Sequence, residues 1–419
     1  MKVVQINTMT NKTNLKSSYY NKRKKHVVVH VEDYFDPSAG YQINELLMLN
    51  IKYQDEVHLI TSTDMSPFHK DYDEQKDIEF SKKYNVIVHR LEKFFKFSYR
   101  IYFRGLFKKI KNINPDLVFL HSIGDFKDLV LWKKKKDYII VRDCHMSWVA
   151  SKNKLAPIFY KLFKFFFTRQ INNKNKYEKV YALGVEEKEY LKKLGIKEHK
   201  IDMLPHGYND DIMYFSTKER ELLRKTNNIE KDTIVISYIG KFNDSKEPHI
   251  IFDILDKVKE NFKDDLVLYF IGPKSDKYME KFYEKSKKHL KHRLIISDAV
   301  PYIELYKHFS MSDICIFPKE TSLSSIHAQV CGCEVIMENQ DSNKERVVNQ
   351  DNLYNIDDLD QAARILERII INKEYLNRNK YIDELKNREY SNQVKKLRQL
   401  IIDKRKEKMT NQDNSNLSV

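Results

Sequence analysis

The chain has 419 residues, 41% of them hydrophobic, which is enough for two domains that each bury a full core. It carries 75 Lys and Arg against 60 Asp and Glu, a formal net charge of +15, and such an excess attracts nucleic acid, anionic lipid or nucleotide phosphates. No apolar run approaches ~18 residues, so we expect neither a spanning helix nor a signal peptide.

Two series of strand-like runs alternate with helical patterns along the chain. The first series lies at 26–31, 56–61, 86–91, 116–121, 138–143 and 179–184, and the second at 233–240, 266–272, 294–298, 313–318 and 334–338. Alternating strands and helices indicate parallel sheets, and near-continuous apolar runs indicate that both sheet faces are covered. The pattern therefore predicts an α/β protein with two Rossmann-like domains.

The predicted domain boundaries follow from these series. We expect a flexible basic extension at 1–24, a first domain at 25–214, a second domain at 215–389, a helix at 390–408 and a disordered tail at 409–419. The join near 215–231 is a charged stretch.

Two segments of the first domain combine basic and aromatic residues. Residues 93–111 read KFFKFSYRIYFRGLFKKIK and residues 158–169 read IFYKLFKFFFTR. Both predict helices with a basic stripe. Such helices can lie on an anionic membrane surface, or they can pack their apolar side on the sheet and leave the lysines in water.

Polar turns interrupt the apolar runs of the second series. In the segments GKFNDSK (240–246) and DICIFPKETSLSSIHAQVCGCEVI (313–336), a buried-strand pattern ends in a polar turn, and a helical pattern follows the turn. This arrangement presents backbone N–H, hydroxyl and ammonium groups to one crevice. Such a crevice suits a doubly negative phosphate ester, which predicts an enzyme that removes a group from a nucleotide diphosphate.

Four short motifs occur in an order typical of one family. They are DPSAGYQ (36–42), LPHGYNDD (204–211), GKFNDSK (240–246) and HAQVCGCEVI (327–336). From about His26 to Leu400 the chain resembles the GT-B glycosyltransferases of the retaining glycosyltransferase family four, or group 1. The resemblance implies two Rossmann-like domains facing each other across a cleft, with an acceptor-binding first domain, a nucleotide-sugar-binding second domain and a C-terminal helix that returns to the first.

The sequence departs from the family pattern at three positions. His327 stands where the second motif glutamate would hold the ribose, and Lys319 stands in register with the first. We interpret the loop as one residue shorter, so that Glu320 keeps the sugar-binding role. Lys241 replaces the usual arginine, which keeps the charge but loses the bidentate fork.

Sugar transfer from a nucleotide donor needs cations at the departing diphosphate. We assign Lys241 and Lys246 to the diphosphate; the alternative is that both are ordinary surface lysines. The resemblance adds Gly40, which lets the chain approach the donor closely. Ser324 and Ser325 can bind phosphate oxygens or simply cap their helix. Glu320 can accept from two sugar hydroxyls or remain a solvated carboxylate.

The resemblance also assigns residues to the sugar and the nucleotide. His145 ends a strand-like run and matches the histidine that faces the reacting sugar, although a histidine at a strand end is often structural. His121 and Asp143 are weaker candidates. Gly272 and His327 are assigned to the nucleotide and its ribose.

We expect no metal and no cofactor beyond the nucleotide sugar, because no Asp-x-Asp motif follows a strand. The four cysteines have no zinc or redox spacing, which fits a cytoplasmic protein, and Cys144, Cys315 and Cys331 are predicted to be small core residues. The hypothesis is a retaining glycosyltransferase for a glycan or lipid-linked acceptor in cell-surface polysaccharide synthesis, peripheral at the inner face of the membrane if the basic-aromatic segments bind lipid.

Three other functions stay open at this point. The charge is compatible with nucleic-acid binding, although no nucleic-acid-binding motif occurs and the aromatics lie in predicted helices. A GT-B-fold nucleotide-sugar epimerase would share the donor site. A catalytically degenerate partner protein would explain His327.

Overall fold

The computed structural model describes residues 25–67, 71–97, 99–131, 137–145, 156–173, 176–259, 266–287, 293–319 and 322–416. Within these residues lie two parallel sheets and one antiparallel hairpin. The strands are β1 Val27–Val31, β2 Glu56–Ser62, β3 Val86–Leu91, β4 Lys93–Phe97, β5 Arg100–Phe103, β6 Leu117–Leu120, β7 Ile139–Cys144, β8 Lys179–Ala182, β9 Ile201–Met203, β10 Ile234–Ile239, β11 Leu266–Ile271, β12 Arg293–Ser297, β13 Ile314–Phe317, β14 Glu334–Glu338 and β15 Leu353–Tyr354.

Helices connect most of these strands. The α-helices are α1 Gln42–Met48, α2 Asn50–Tyr53, α3 Glu74–Tyr84, α4 Leu106–Ile113, α5 Phe126–Leu131, α6 Ala156–Phe163, α7 Arg169–Ile171, α8 Val185–Lys193, α9 Thr217–Thr226, α10 Ile250–Lys257, α11 Asp276–Ser286, α12 Leu305–Met311, α13 Ser324–Val330, α14 Asp341–Lys344, α15 Leu359–Ile371, α16 Ile382–Leu385 and α17 Tyr390–Asn416. A π-helical stretch, Lys164–Thr168, joins α6 to α7, and short 3₁₀ turns lie at Glu198–Lys200, Tyr302–Glu304, Gln350–Asn352, Glu374–Leu376 and Lys386–Arg388.

Each domain has a doubly wound parallel sheet. The first has the order β3-β2-β1-β6-β7-β8-β9 and the second the order β12-β11-β10-β13-β14-β15. In both, the first strand of the domain lies inside the sheet and the chain winds outward in both directions from it. The prediction of two Rossmann-like domains is confirmed. The short strands β9 and β15 were not predicted from the sequence.

Alternation along the strands explains the cores. Val29 and Val31 of β1 lie in one hydrophobic core, and Val28 lies in another on the opposite face. Successive residues of a strand point to opposite faces, so both faces of the first sheet are covered. The second domain has one large core. All four cysteines are buried, free thiols, Cys144 in the first domain and the others in the second.

The predicted helix over 93–111 is wrong for its first half. Residues 93–97 and 100–103 form the antiparallel pair β4–β5, and a helix begins only at Leu106, after Gly105 at φ +77°. Phe95 stacks on Tyr102 across the pair with ring centroids 5.2 Å apart. Aromatic residues favour strands and aromatic cross-strand pairs stabilise them, so this pairing outweighs the helical periodicity. The second basic-aromatic segment is helical, as predicted.

The long helix α17 returns to the first domain. Gln42 Nε2 in α1 donates to Gln393 Oε1 at 3.0 Å, and Arg405 of α17 pairs with Asp116 at 2.6 Å. The backbone N–H of Tyr390 donates to the carbonyl of Tyr208 at 2.9 Å, which ties the helix to the segment between β9 and α9, here called the linker between the domains. The returning helix is therefore confirmed. It continues to Asn416, so the prediction of a disordered tail is wrong for 409–416; a helix already nucleated extends at low cost.

The position of Gly272 has no room for a side chain. Its φ is +149°, and a Cβ there would meet the carbonyl oxygen of Gly240 at 1.9 Å. Gly272→Ala is therefore expected to lower the free energy of unfolding by more than ~2 kcal/mol. Gly105→Ala is the control, because its φ is also positive but nothing lies within 4 Å of the added Cβ; we expect ~1 kcal/mol there. Urea unfolding measures both, and equal losses would contradict the role of the Gly240 contact.

Candidate active site

The carboxyl ends of the strands of both sheets face each other across the gap between the domains. Residues that follow β8 and β14 touch there, because the backbone N–H of Val185 donates to Oε2 of Glu345 at 3.0 Å. A second contact joins the loops after β1 and β12, where the ring of Tyr302 covers Gly40; a Cβ on that glycine would meet the ring at 2.1 Å. Ligands of doubly wound sheets bind at this edge, so this gap is the candidate active site.

A small cavity lies beside the contact between Gly40 and Tyr302. It measures about 280 Å³ and is lined by residues 37–39, by α3 and by residues 301–303. Ligand pockets usually measure ~300–1,000 Å³. At about 280 Å³ this cavity lies just below that range, and the binding of a donor at Gly40 stays a prediction.

A row of hydrogen-bonded histidines crosses the carboxyl edge of the first sheet through one aspartate. The buried Asp143 carboxylate lies 2.7 Å from Nδ1 of His121 and 3.1 Å from Nε2 of His145. The backbone N–H of Ser122 donates to the same carboxylate at 2.7 Å. Behind it, Nε2 of His121 lies 3.0 Å from Nδ1 of His30. The row ends at His145, whose side chain is 40% exposed.

Burial and neighbouring charges shift the pKa values of the side chains in this row. Burial lowers the pKa of His145, but the charge and hydrogen bond of Asp143 outweigh it and bring the pKa to about 9. Burial raises the pKa of Asp143, yet the two adjacent histidines hold it well below its usual range. Burial and the neighbouring His121 hold the pKa of His30 well below its usual range. At neutral pH, therefore, His145 is an imidazolium beside a carboxylate and His30 is neutral.

His121, Asp143 and His145 are also the one group in the described ranges whose metal-ligating atoms all lie within 4.8 Å of one another. Both carboxylate oxygens of Asp143 already accept hydrogen bonds, and both ring nitrogens of His121 have partners. A metal ion would have to displace these hydrogen bonds. In this structure the three side chains are joined by hydrogen bonds.

His206, beside His145, and Arg346, whose charge acts on His206, were not predicted from the sequence. The ring of His206 lies 6.4 Å from that of His145, centroid to centroid. Burial, and then the charge of Arg346 from the second domain, hold the pKa of His206 well below its usual range. The Nε of Arg346 is buried and makes no hydrogen bond. His206 lies inside the LPHGYNDD motif, which was a usable signal, whereas no pattern marked Arg346.

The predicted diphosphate lysines lie at the carboxyl edge of the second sheet. The N–H of Gly240 donates to the carbonyl of Ile271 at 3.0 Å, so this turn starts against the end of β11 and its glycine, Gly272. Lys241 is exposed and Lys246 is half-buried. The backbone N–H of Lys246 donates to the carbonyl of Asn243 at 3.2 Å. The fold brings both lysines to the edge that faces the gap, and their contact with a diphosphate stays a prediction.

The segment before α13 is only partly available to a ligand. Glu320 lies outside the described residues. Ser325 is buried and its hydroxyl donates to the carbonyl of Ser322 at 2.7 Å, whereas Ser324 is half-buried. Lys319 pairs with the buried Glu338 at 2.7 Å and with Asp357. Of the two serines, Ser324 has the more accessible hydroxyl.

His327 is buried against the linker between the domains. Its ring lies 5.7 Å from that of Tyr302 and 6.4 Å from that of Phe309, centroid to centroid. Burial lowers its pKa to about 4, with a smaller opposing effect of the Gly207 backbone. The ring is therefore neutral and only 3% of the residue is exposed. The assignment of His327 to the ribose stays a prediction. In this conformation the ring of Tyr302 lies next to His327 and also contacts Gly40 of the first domain.

Comparison with solved structures places the fold in one class. A glycosyltransferase of Rickettsia africae matches with TM-score 0.68 and 15% identity over 90% of this chain and 98% of its own. Sucrose-phosphate synthase of Thermosynechococcus elongatus matches with TM-score 0.66 and 14% identity over 90% and 98%. HepE of Anabaena, solved with UDP-glucose, matches with TM-score 0.64 and 12% identity over 91% and 100%. The chain has the two-domain GT-B architecture of these glycosyltransferases.

Family models identify the chain more closely. The model "Glycosyl transferases group 1" matches residues 219–388, and the model "Glycosyltransferase Family 4" matches residues 52–212. This chain belongs to the group 1 glycosyltransferases. No curated protein sequence matches it significantly. The predicted family is confirmed.

Proposed function

We propose that this glycosyltransferase moves a sugar, with retention of anomeric configuration, from a nucleotide diphosphate sugar to an acceptor. The observation that carries the proposal is the contact of His145 Nε2 with the buried Asp143 carboxylate at 3.1 Å, at the carboxyl edge of the first sheet, which raises the pKa of His145 to about 9. HepE of Anabaena was solved with UDP and with UDP-glucose. This supports a uridine or similar nucleotide donor.

The chemistry distributes charge across the gap. The bond between the anomeric carbon and the diphosphate oxygen breaks, and the diphosphate leaves with the electron pair. The acceptor hydroxyl attacks the same face of the anomeric carbon and gives its proton to the departing diphosphate oxygen. Lys241 and Lys246, with the Ser324 hydroxyl, stabilise the leaving diphosphate. His145 donates a hydrogen bond to the transferring sugar, and Gly40 allows close approach of the donor once Tyr302 has moved. Cations of the chain replace a metal in this scheme.

The acceptor is proposed to be a glycan or a lipid-linked glycan, in cell-surface polysaccharide synthesis at the inner face of the membrane. A catalytically degenerate partner is the second candidate. Two residues favour this candidate because they stand at the positions of the two motif glutamates. His327 is neutral and buried, and Lys319 is ion-paired with Glu338. Measurable turnover of any donor would exclude it.

The experiment is a donor screen. Nucleotide sugars carrying uridine, guanosine, adenosine and thymidine are each added to the purified chain at high concentration, and Tm is recorded. A donor at 100 times its Kd stabilises the protein by about 2.7 kcal/mol, so a clear rise with one base is expected. Product anomers are then assigned by NMR with a lipid-linked or sugar acceptor. No shift with any donor would contradict nucleotide-sugar binding, and an inverted product would contradict retention.

A further inference from the structure

Large aromatic side chains are exposed on the hairpin β4–β5. Phe94 is 64% exposed, Phe97 69% and Tyr99 58%. These rings stand on a two-stranded projection that pairs with neither parallel sheet. Exposed aromatics grouped in this way mark a contact surface rather than ordinary scattered apolar residues.

The helical segment α6–α7 exposes a second group of large apolar side chains. Ile158 is 57% exposed, Leu162 51%, Phe165 77% and Phe166 50%. Phe165 and Phe166 lie in the π-helical stretch, whereas Phe163, the last residue of α6, is buried in the core. This segment therefore packs one side inward and presents four apolar side chains outward.

The two elements are neighbours. The Arg100 guanidinium of β5 lies 5.6 Å from the ring centroid of Phe159 in α6. Arg100 also donates to the carbonyl of Ile123 at 3.2 Å, in the loop whose Gly124 lies against Phe163. We call the hairpin β4–β5, the helix α4 and the segment α6–α7 the basic-aromatic face.

The charge of this face is of one sign. Residues 93–113 contain seven Lys or Arg and residues 156–173 contain three, with no Asp or Glu in either range. Six of these cations are exposed: Arg104, Lys108, Lys111, Lys161, Lys164 and Arg169. Aromatic rings with surrounding cations suit the headgroup region of an anionic bilayer, where rings insert and cations stay at the phosphates.

The face adjoins the candidate active site. Lys93 pairs with Asp64 at 2.6 Å, in the loop after β2, and Lys96 lies over the ring of Tyr34, after β1, at 5.3 Å. Both loops leave the carboxyl edge of the first sheet, the edge on which His145 lies. A surface bound to this face would thus lie next to the acceptor side of the gap.

We propose that the basic-aromatic face docks the enzyme on an anionic lipid bilayer, with the hairpin tip and the π-helical stretch inserted between the headgroups. The proposal builds on the proposed function by naming where a lipid-linked acceptor would enter. None of the described helices is both long enough and apolar enough to span a bilayer, so docking is peripheral. Nucleic acid is disfavoured because the exposed residues include aliphatic Ile158 and Leu162, which offer no stacking surface.

Vesicle flotation tests the docking with the full chain. Vesicles of phosphatidylcholine alone are compared with vesicles in which about a third of the lipid is phosphatidylglycerol. The wild type is expected to float with the anionic vesicles only, and less so as salt is raised. The triple variant Phe94→Ser/Phe97→Ser/Phe165→Ser is expected to lose binding about ten-fold or more, because three inserted rings are removed.

A matched control changes three equally exposed apolar residues of the second domain. Ile356, Ile371 and Leu376 are 60%, 59% and 61% exposed, and their triple serine variant is expected to bind vesicles like the wild type. Equal loss in both variants, or no wild-type binding to anionic vesicles, would overturn the docking proposal. Binding of a fluorescent oligonucleotide that the Phe variant alone loses would reassign the face to nucleic acid. Donor-induced Tm shifts, measured without vesicles, report on the proposed function independently.

Discussion

Lys246→Ala is expected to lower kcat/KM for the nucleotide sugar by about 10²–10³-fold. The turn that carries Lys246 starts at the end of β10 and is tied to β11 through Gly240. The backbone of Lys246 therefore lies at the carboxyl edge of the second sheet, and the proposed function assigns its ammonium group to the diphosphate. The leaving diphosphate gains negative charge in the transition state, and removing a positioned cation costs most there. Steady-state nucleotide release measures the effect.

Lys257→Ala is the control for this change. Lys257 ends α10, the helix that follows the same turn, and pairs with Asp360 at 2.9 Å on the surface. It is expected to leave kcat/KM within about two-fold of wild type, because exposed ion pairs contribute little. If Lys246→Ala behaves like Lys257→Ala, the diphosphate is not held by this turn and the proposed mechanism is wrong.

Asp143→Asn is expected to move the alkaline limit of activity from about pH 9 to the ordinary histidine value near pH 6.5 or below it, because burial lowers the pKa of His145 once Asp143 no longer opposes it. The neutral amide removes the charge that raises the pKa of His145. At pH 8 the protonated fraction of His145 would fall from ~90% to ~3% or less, so kcat is expected to fall by roughly 30-fold or more there, and the loss is expected to shrink steadily as the pH is lowered toward 5. Asp143 is thus a positioning residue, and a pH–rate profile measures its effect.

The shape of the profile separates this role from a purely structural one. A structural defect would lower kcat by the same factor at every pH. Asp202→Asn is the control, since Asp202 is a partly exposed carboxylate of β9 paired with Lys396 at 2.7 Å, and its profile should match wild type. A wild-type enzyme that gains activity as pH rises through 9 would show that neutral His145 is the active form, contrary to the proposal.

The sequence predicted the strands of both sheets because each strand is a local apolar run ended by polar residues. The observed bounds differ from the predicted ones by at most two residues. The same local pattern located His145, Lys241 and Lys246 at strand ends, and parallel strands carry such ends to one edge. Family motifs then identified the two-domain architecture, since four ordered motifs are specific where each alone is weak.

Other features depended on residues far apart in the chain. The row from His30 to His145 joins three elements, which are β1, the loop after β6, and β7. His30 and His121, its first two members, are 91 residues apart in the chain. In the same way, Lys127 is buried between Asp33 and Asp125 at 2.8 Å from each, although lysine is rarely buried. Hydrogen bonds and ion pairs of this kind decide protonation, and no local pattern encodes them.

Sequence by itself thus determined the fold class, the family and the edge at which the lysines and His145 lie, because periodicity and motif order are local properties. Tertiary structure decided the rest. It turned residues 93–103 into a hairpin through cross-strand pairing, buried His327 beneath Tyr302, and made His145 cationic through Asp143. Each of these outcomes depends on burial or charge supplied by a neighbour that folding alone brings close.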